Sequence, residues 1–396
     1  MNHFIGMKKP SSGFSLVELM VAVVIGLIGT LVMFQLYATS EGQKRTTVSG
    51  GDSTQNGAIA LYSIERDMRN AGHGLASLTL RAQPLYTWDS AAGVLPVKFF
   101  RPGLITPGAD SDTIEINYAT HSGLTVPNGI PATWASNVVP IPNLPLVSSS
   151  GLGNGDHIAI CQDPAVDPLS VCVYSEITNV APGSIISIAA PPTAYINQNG
   201  VAQTARNNPP AGFQAALLGA VAADSFVLPA NFVGTGRPQS AAAFNLGDLV
   251  SRIYTVQADH LTLTEAGVVN DFTDGIVAVR AQYGLDINND AAVDVWVDPR
   301  GVQPNPVASF TPNHANFLIG TNLQIGASWA GVRAIRIAVV SRSGNLEKTV
   351  VESRASIPLW TNPAGNPTPA PSYTIPAGDG NRYRYQVFET IVPLRS

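Results

Sequence analysis

Gly13-Phe14-Ser15-Leu16-Val17-Glu18, together with the apolar run that it opens and that continues to Tyr37, decides how the rest of the chain is read. From Phe14 to Tyr37 the only charged side chain is Glu18, and Lys8 and Lys9 stand in the short tail ahead. As a helix rising about 1.5 Å per residue, the run reaches about 36 Å, enough for a hydrocarbon core of about 30 Å. The lysines precede it and the next basic pair comes only at Lys44 and Arg45. That asymmetry directs its start to the cytoplasm and the bulk of the chain outward.

A secretory signal peptide has a shorter apolar core ending at a small-residue site of A-x-A type, and none follows Tyr37. An ordinary anchor would not place a carboxylate five residues into the run. A charge at the bilayer centre costs about 2.5 to 3.5 kcal/mol on insertion scales, and less toward an end. Glu18 therefore reads as a functional residue.

In the order basic leader, Gly13-Phe-Ser-Leu-Val-Glu18-Leu-Met, long apolar helix, the start resembles the class III signal of type IV pilins and type II secretion pseudopilins. The resemblance implies cleavage by prepilin peptidase between Gly13 and Phe14, and N-methylation of the new terminus at Phe14. It also implies that the Glu18 carboxylate pairs with the terminal amine of a neighbouring subunit. An amine and a carboxylate that are poorly solvated in lipid gain most by neutralising each other, which agrees.

The chain holds 396 residues, 45% hydrophobic and 12% charged, so it can build a sizeable core with few charges to cover it. Its 36 Gly and 30 Pro, about 17% of the chain, stay below the level of a low-complexity disordered sequence. Net charge is −5, and −7 once Lys8 and Lys9 leave with the leader, 20 basic against 27 acidic side chains. That argues against a strongly basic nucleic-acid surface.

Gln35, Glu41, Gln43, Lys44 and Arg45 mark the membrane exit, and Gly50-Gly51 is a candidate kink. Over 53–70, Leu61, Ile64, Met68 and Ala71 recur at three- and four-residue spacing, with Glu65, Arg66 and Arg69 facing elsewhere. Gly72 and Gly74 supply a stop. Beyond them β patterning dominates, with strands expected at 113–118, 157–161, 171–178, 184–188, 249–256, 276–283, 332–340 and 383–392. Long connections fall at 130–151, 189–212, 298–316 and 361–379, with a short helix expected over 215–223. The expected fold is α+β, a type IV pilin fold: a long N-terminal helix on an antiparallel sheet, with large loop-rich β insertions. The expected organisation is leader 1–13, membrane helix 14–37, amphipathic continuation 38–74 and a β-rich domain 75–396, with 120–250 as an alternative sub-domain.

Leu61-Tyr-Ser-Ile-Glu-Arg-Asp-Met-Arg-Asn-Ala-Gly72, Val332-Arg-Ala-Ile-Arg-Ile-Ala-Val-Val-Ser-Arg-Ser343 and Arg382-Tyr-Arg-Tyr-Gln-Val-Phe-Glu-Thr-Ile-Val-Pro-Leu-Arg395 resemble segments of PilW-family minor pilins. The membrane helix carries Gly26 and Gly29 but lacks the proline common in major pilins. The resemblance implies a minor pilin that primes pilus assembly and sits in the tip complex. It would wait in the inner membrane as a single-pass protein with its C-terminal domain in the periplasm. Implied partners are other minor pilins, the major pilin, a tip adhesin, prepilin peptidase and the inner-membrane assembly platform. A J-like type II secretion pseudopilin and a surface adhesin are the alternatives.

Cys161 and Cys172 lie in two short β-like runs joined by a Pro- and Asp-containing connection. In an oxidising compartment a disulfide is expected, with two unpaired thiols as the alternative. Asp286, Asn288, Asp290 and Asp294 place oxygens at alternate positions of a turn, with the Ala292 carbonyl where calcium loops use backbone. Ala291 and Val297 replace the glycine and glutamate of a complete EF-hand. The reading requires no cofactor, and calcium is the ligand these residues suggest, against a hairpin turn with Asx caps. G-x-S-x-G, H-E-x-x-H, P-loop and G-x-G-x-x-G motifs are absent and the six histidines do not cluster in sequence, so no catalysis is expected.

Overall fold

The computed structural model describes residues 13, 15–74, 84–86, 97–99, 102–120, 128–130, 141–162, 172–189, 192–205, 208, 241–265, 267–286, 290, 292–297, 332–360 and 371–394. One helix, Leu16–Arg69, runs for 54 residues. Extended Ser15 caps its start, and the Ser15 carbonyl accepts the Leu19 N–H at 3.0 Å. Asn70 caps its end, and the chain leaves through Gly72 and Gly74 with φ of +74° and +72°, a left-handed backbone that suits glycine. The helix continues without a break through Gly50-Gly51. Two interior glycines cost about 1 kcal/mol each in helix propensity, which the packing of the helix from Ser49 onward outweighs.

Residues 16–41 are exposed throughout. Burial begins at Ser49 and continues at Ser53, Gly57, Ala60, Ser63, Ile64, Asp67 and Met68, steps that keep one face of the helix on the domain. Of the apolar stripe expected from sequence, Ile64, Met68 and Ala71 are buried and Leu61 is partly so. The stripe also extends further toward the membrane than expected, because its first part is made of small residues that bring the helix backbone close to the strands.

Every expected strand is present, with ends shifted by one or two residues. Four of the strands, in the order Val295–Val297, Ile276–Leu285, Val332–Arg342 and Tyr385–Pro393, form an antiparallel sheet. A second antiparallel sheet runs Val268–Asp274, His260–Glu265, Leu249–Gln257, Thr113–Ala119, Gly103–Thr106. A core containing Ala60, Ile64, Met68, Ile114, Tyr254, Val279 and Ile335 joins the helix to both sheets. On the other face of the first sheet, Ala278, Ala338 and Val340 pack with Ile357, Trp360 and Tyr373, from in and around the Ser356–Pro358/Ser372–Thr374 hairpin. Covered on both faces, Ile276–Leu285 is buried at all 10 positions, Arg280 and Gln282 included.

The middle of the chain builds a six-stranded, largely antiparallel sheet in which His157–Gln162 pairs with Cys172–Glu176 and Ala241–Gly247. Its one parallel pair joins Pro84–Tyr86 to Cys172–Glu176. Three of the long connections hold structure of their own. Ile141–Pro145 lies within 130–151, an Ala194–Ile196/Ala202–Thr204 hairpin within 189–212, and Ser372–Thr374 within 361–379. The 298–316 connection and the 215–223 helix lie outside the described residues. The layout is α+β, one long apolar N-terminal helix on a largely antiparallel β region, consistent with a pilin-like fold.

Candidate assembly interface

Gly13 is exposed and lies just ahead of the helix, with open space around its Cα; Phe14 lies outside the described residues. Glu18 sits exposed in the first turn, where the partial positive charge of the helix N-terminus favours a carboxylate. It makes no ion pair within the chain among the described residues. Leu16–Arg69 is the single helix among the described residues long and apolar enough to cross a membrane. Its exposed stretch includes Leu16, Ile25, Phe34 and Tyr37, all more than 60% accessible. Such a surface requires lipid or other helices as its surroundings.

The globular part grips the helix just past this surface. Thr46 donates to Glu347 Oε2 at 3.1 Å, and Ser49 Oγ accepts the Asn345 N–H at 3.2 Å. Arg384 holds the other oxygen of Glu347 at 2.9 Å. The Arg384 hydrogen bond, helped by Thr46 and opposed by burial, keeps the Glu347 carboxyl below the usual range. One turn on, Ser53 and Ser341 share a hydrogen bond of 2.9 Å, and Thr54 donates to Gln386 at 2.9 Å. At Gly57 a Cβ would meet the Phe388 ring at 2.2 Å, so only glycine permits this approach.

The far end of the helix is pinned by a charge cluster that sequence reading missed. Arg252 Nη1 donates to both oxygens of Asp67 at 3.0 Å, and the Tyr254 hydroxyl donates to Asp67 Oδ2 at 2.6 Å. Asp67 is 1% exposed. Arg252 reaches Glu265 with its second amine at 3.2 Å, and Ser63 and Tyr254 are within 3.2 Å. Burial first, and then the bond to Asp67, push the Tyr254 phenol up. The signal was available: Asp67 follows Ile64 by three residues and adjoins Met68, on the buried face.

The arginines of Val332–Arg342 are structural fasteners. Arg333 pairs with Asp286 at 2.9 Å, and Arg342 pairs with Asp259 at 2.6 Å while lying 4.2 Å from the Tyr383 ring centre. Arg336 is buried between Trp296 and Trp360, 4.8 and 4.5 Å from their ring centres, and its Nε donates to Gln282 at 2.9 Å.

At the acidic turn the structure brings together Asp286, Asp290 and Asp294, with carboxylate oxygens within 4.8 Å of one another, while Asn288 lies outside the described residues. Asp286 is buried against Arg333, and Asp290 accepts the Ala292 N–H at 2.8 Å, an Asx cap. Three acidic groups in reach of one another fit a hard cation in donor type. The Asx cap and the arginine are features of a structural turn. Cys161 stands directly opposite Cys172 in the antiparallel register; their side chains lie outside what is described.

The family model of type IV pilus-assembly protein W, PilW, matches residues 242–396, and the prokaryotic N-terminal methylation motif matches residues 8–34. The two matches are consistent with a PilW-family prepilin-like protein. Neither a curated protein nor a solved structure matches the chain. The PilW match takes in strands that contact the helix, among them Val268–Asp274, Ile276–Leu285, Val332–Arg342 and Tyr385–Pro393, together with Arg252 and Tyr254. The two matches support a type IV pilus-related minor pilin. An apolar N-terminal helix carrying the methylation motif is consistent with membrane anchoring and pilus association.

Proposed function

We propose that this chain primes type IV pilus assembly as a minor pilin and ends in the tip complex. Cleavage between Gly13 and Phe14 leaves a methylated Phe14 terminus, with Glu18 as the fifth residue of the mature chain. The membrane half of the helix, held in the inner membrane with the β-rich part in the periplasm, then passes from lipid into a bundle of neighbouring helices. Helix packing replaces lipid contact there, and small residues such as Gly26 and Gly29 allow close approach. Glu18 sets the register by pairing with a neighbour's terminal amine. The role is structural, and the partners are other minor pilins, the major pilin, a tip adhesin, prepilin peptidase and the assembly platform.

The observation that carries this reading is the exposed apolar helix with one carboxylate in its first turn, clamped by a PilW-type domain only from Thr46 onward. Its test is Glu18→Ala expressed in place of the wild-type chain, with sheared pili quantified. Pili should fall severalfold while the variant accumulates in the inner membrane. Normal piliation with the variant incorporated would contradict the proposed role.

A further inference from the structure

The middle of the molecule holds a cleft of about 640 Å³ that the assembly reading leaves unused. Small-molecule sites usually span about 300 to 1,000 Å³. It opens between the 153–157 turn, the end of Cys172–Glu176, the Ala194–Ile196/Ala202–Thr204 hairpin and the corner at Gly247-Asp248. Its wall is closely fitted. Gly155 has φ +93°, and a Cβ there would come within 3.1 Å of the Asn197 Cβ; a Cβ at Gly153 would come within 2.4 Å of Gln198 Oε1. Asp156 ties turn to hairpin by accepting the Gly153 N–H and Gln198 Nε2, both at 2.9 Å. The Tyr195 hydroxyl donates to buried Glu176, closing the opposite side.

The lining chemistry selects the ligand. Among the described residues that line it, Asp156, Glu176 and Asp248 are present and lysine and arginine are not, a lining that disfavours a phosphate, a sialic acid or a nucleic-acid backbone. These carboxylates do not form a metal-spaced group. Among the described residues, the group with that spacing is at 286, 290 and 294. Asp156 accepts the side-chain amides of Gln198 and Asn245, while Asp248, 3.1 Å from His157 Nδ1, is largely exposed and offers its carboxylate as an acceptor for hydroxyl donors. On the rim, exposed Asn199, Gln203 and Thr204 carry donors and acceptors side by side. A ligand that both donates and accepts at many closely spaced points, without charge, satisfies this lining. Hydroxyl groups do so, each offering one donor and two acceptor lone pairs.

We propose that this cleft binds an uncharged saccharide. The assignment does not rest on the pilus reading, because it concerns the isolated chain and residues almost wholly outside the PilW match. The test is titration of the full-length chain, in a detergent without a sugar headgroup, with maltotriose, cellotriose, mannotriose and lactose. Sialyllactose and spermidine serve as charged probes, and saturation-transfer NMR as the readout. At least one neutral oligosaccharide should bind saturably and sialyllactose should not. Asn199→Ala and Gln203→Ala, exposed positions whose circular dichroism should match wild type, should each weaken binding by up to about tenfold, the loss of one hydrogen bond. Saturable binding of spermidine alone, of none of the neutral sugars, or of a sugar with affinity unchanged in both variants would overturn the proposal.

Discussion

Gly57 shows how one residue sets the distance between helix and sheet. Gly57→Ala gains about 0.8 to 1 kcal/mol of helix propensity and meets the Phe388 ring, an overpacking that costs about 1 to 3 kcal/mol. The second effect wins, so the melting temperature should fall. Gly51→Ala, with nothing within 4 Å, should raise it by the propensity gain alone. Equal shifts in thermal unfolding would refute the close approach. Asp67→Ala leaves Arg252 beside a vacated buried site and should cost about 3 to 5 kcal/mol, whereas Tyr254→Phe, which removes one bond to that carboxylate, should cost about 1.5 to 3 kcal/mol, as read by urea denaturation. At this scale the sequence was legible where residues are large. Ile64 and Met68 announced the buried face, while Ser49, Ser53, Gly57 and Asp67 read as polar or neutral and concealed how far it extends.

The element that couples the membrane helix to the domain is the 343–354 segment. Through Asn345 and Glu347 it touches the helix, and through Glu347, Val351 and Glu352 it bonds to residues 381–384. Glu347 is held below its usual value by Arg384, and Glu352 is pushed down to about 2 by Arg354. Both depressed carboxylates contribute stability that is present above their unfolded value of about 4.5. That contribution is lost as pH falls through the lower folded values. Glu389, raised by burial, acts in the opposite sense: protonation there favours the fold, and its contribution fades as pH rises through the folded value. Amide exchange at Asn345 and Glu347 should therefore accelerate, relative to Ile337 and Val339, between pH 4.5 and about 2. Equal acceleration at all four amides would mean that the segment is not the acid-sensitive joint. The strands of this region were readable because Val332–Arg342 and Tyr385–Pro393 are long and β-branched. The short strands at 141–145 and 194–204 were hidden in Pro- and Asn-rich sequence, where pairing with neighbours, and not local propensity, makes the strand.

For the whole molecule, the long apolar helix and its methylation motif were legible, since a basic leader, a glutamate and the apolar run are contiguous in the chain. The middle sheet and its cleft were not. They depend on residues as distant as Asp156, Tyr195 and Asp248, which only the tertiary arrangement brings together. The same arrangement sets Cys161 opposite Cys172, and we expect a disulfide there once the domain reaches an oxidising compartment. The central claim is processing followed by extraction from the membrane. Its most direct test is intact-mass and N-terminal analysis of the protein from its native membranes, with and without reductant. The account predicts a chain that begins at N-methylated Phe14 and gains the mass of a reduced disulfide on treatment with reductant. A chain still beginning at Met1 while prepilin peptidase is active would contradict it.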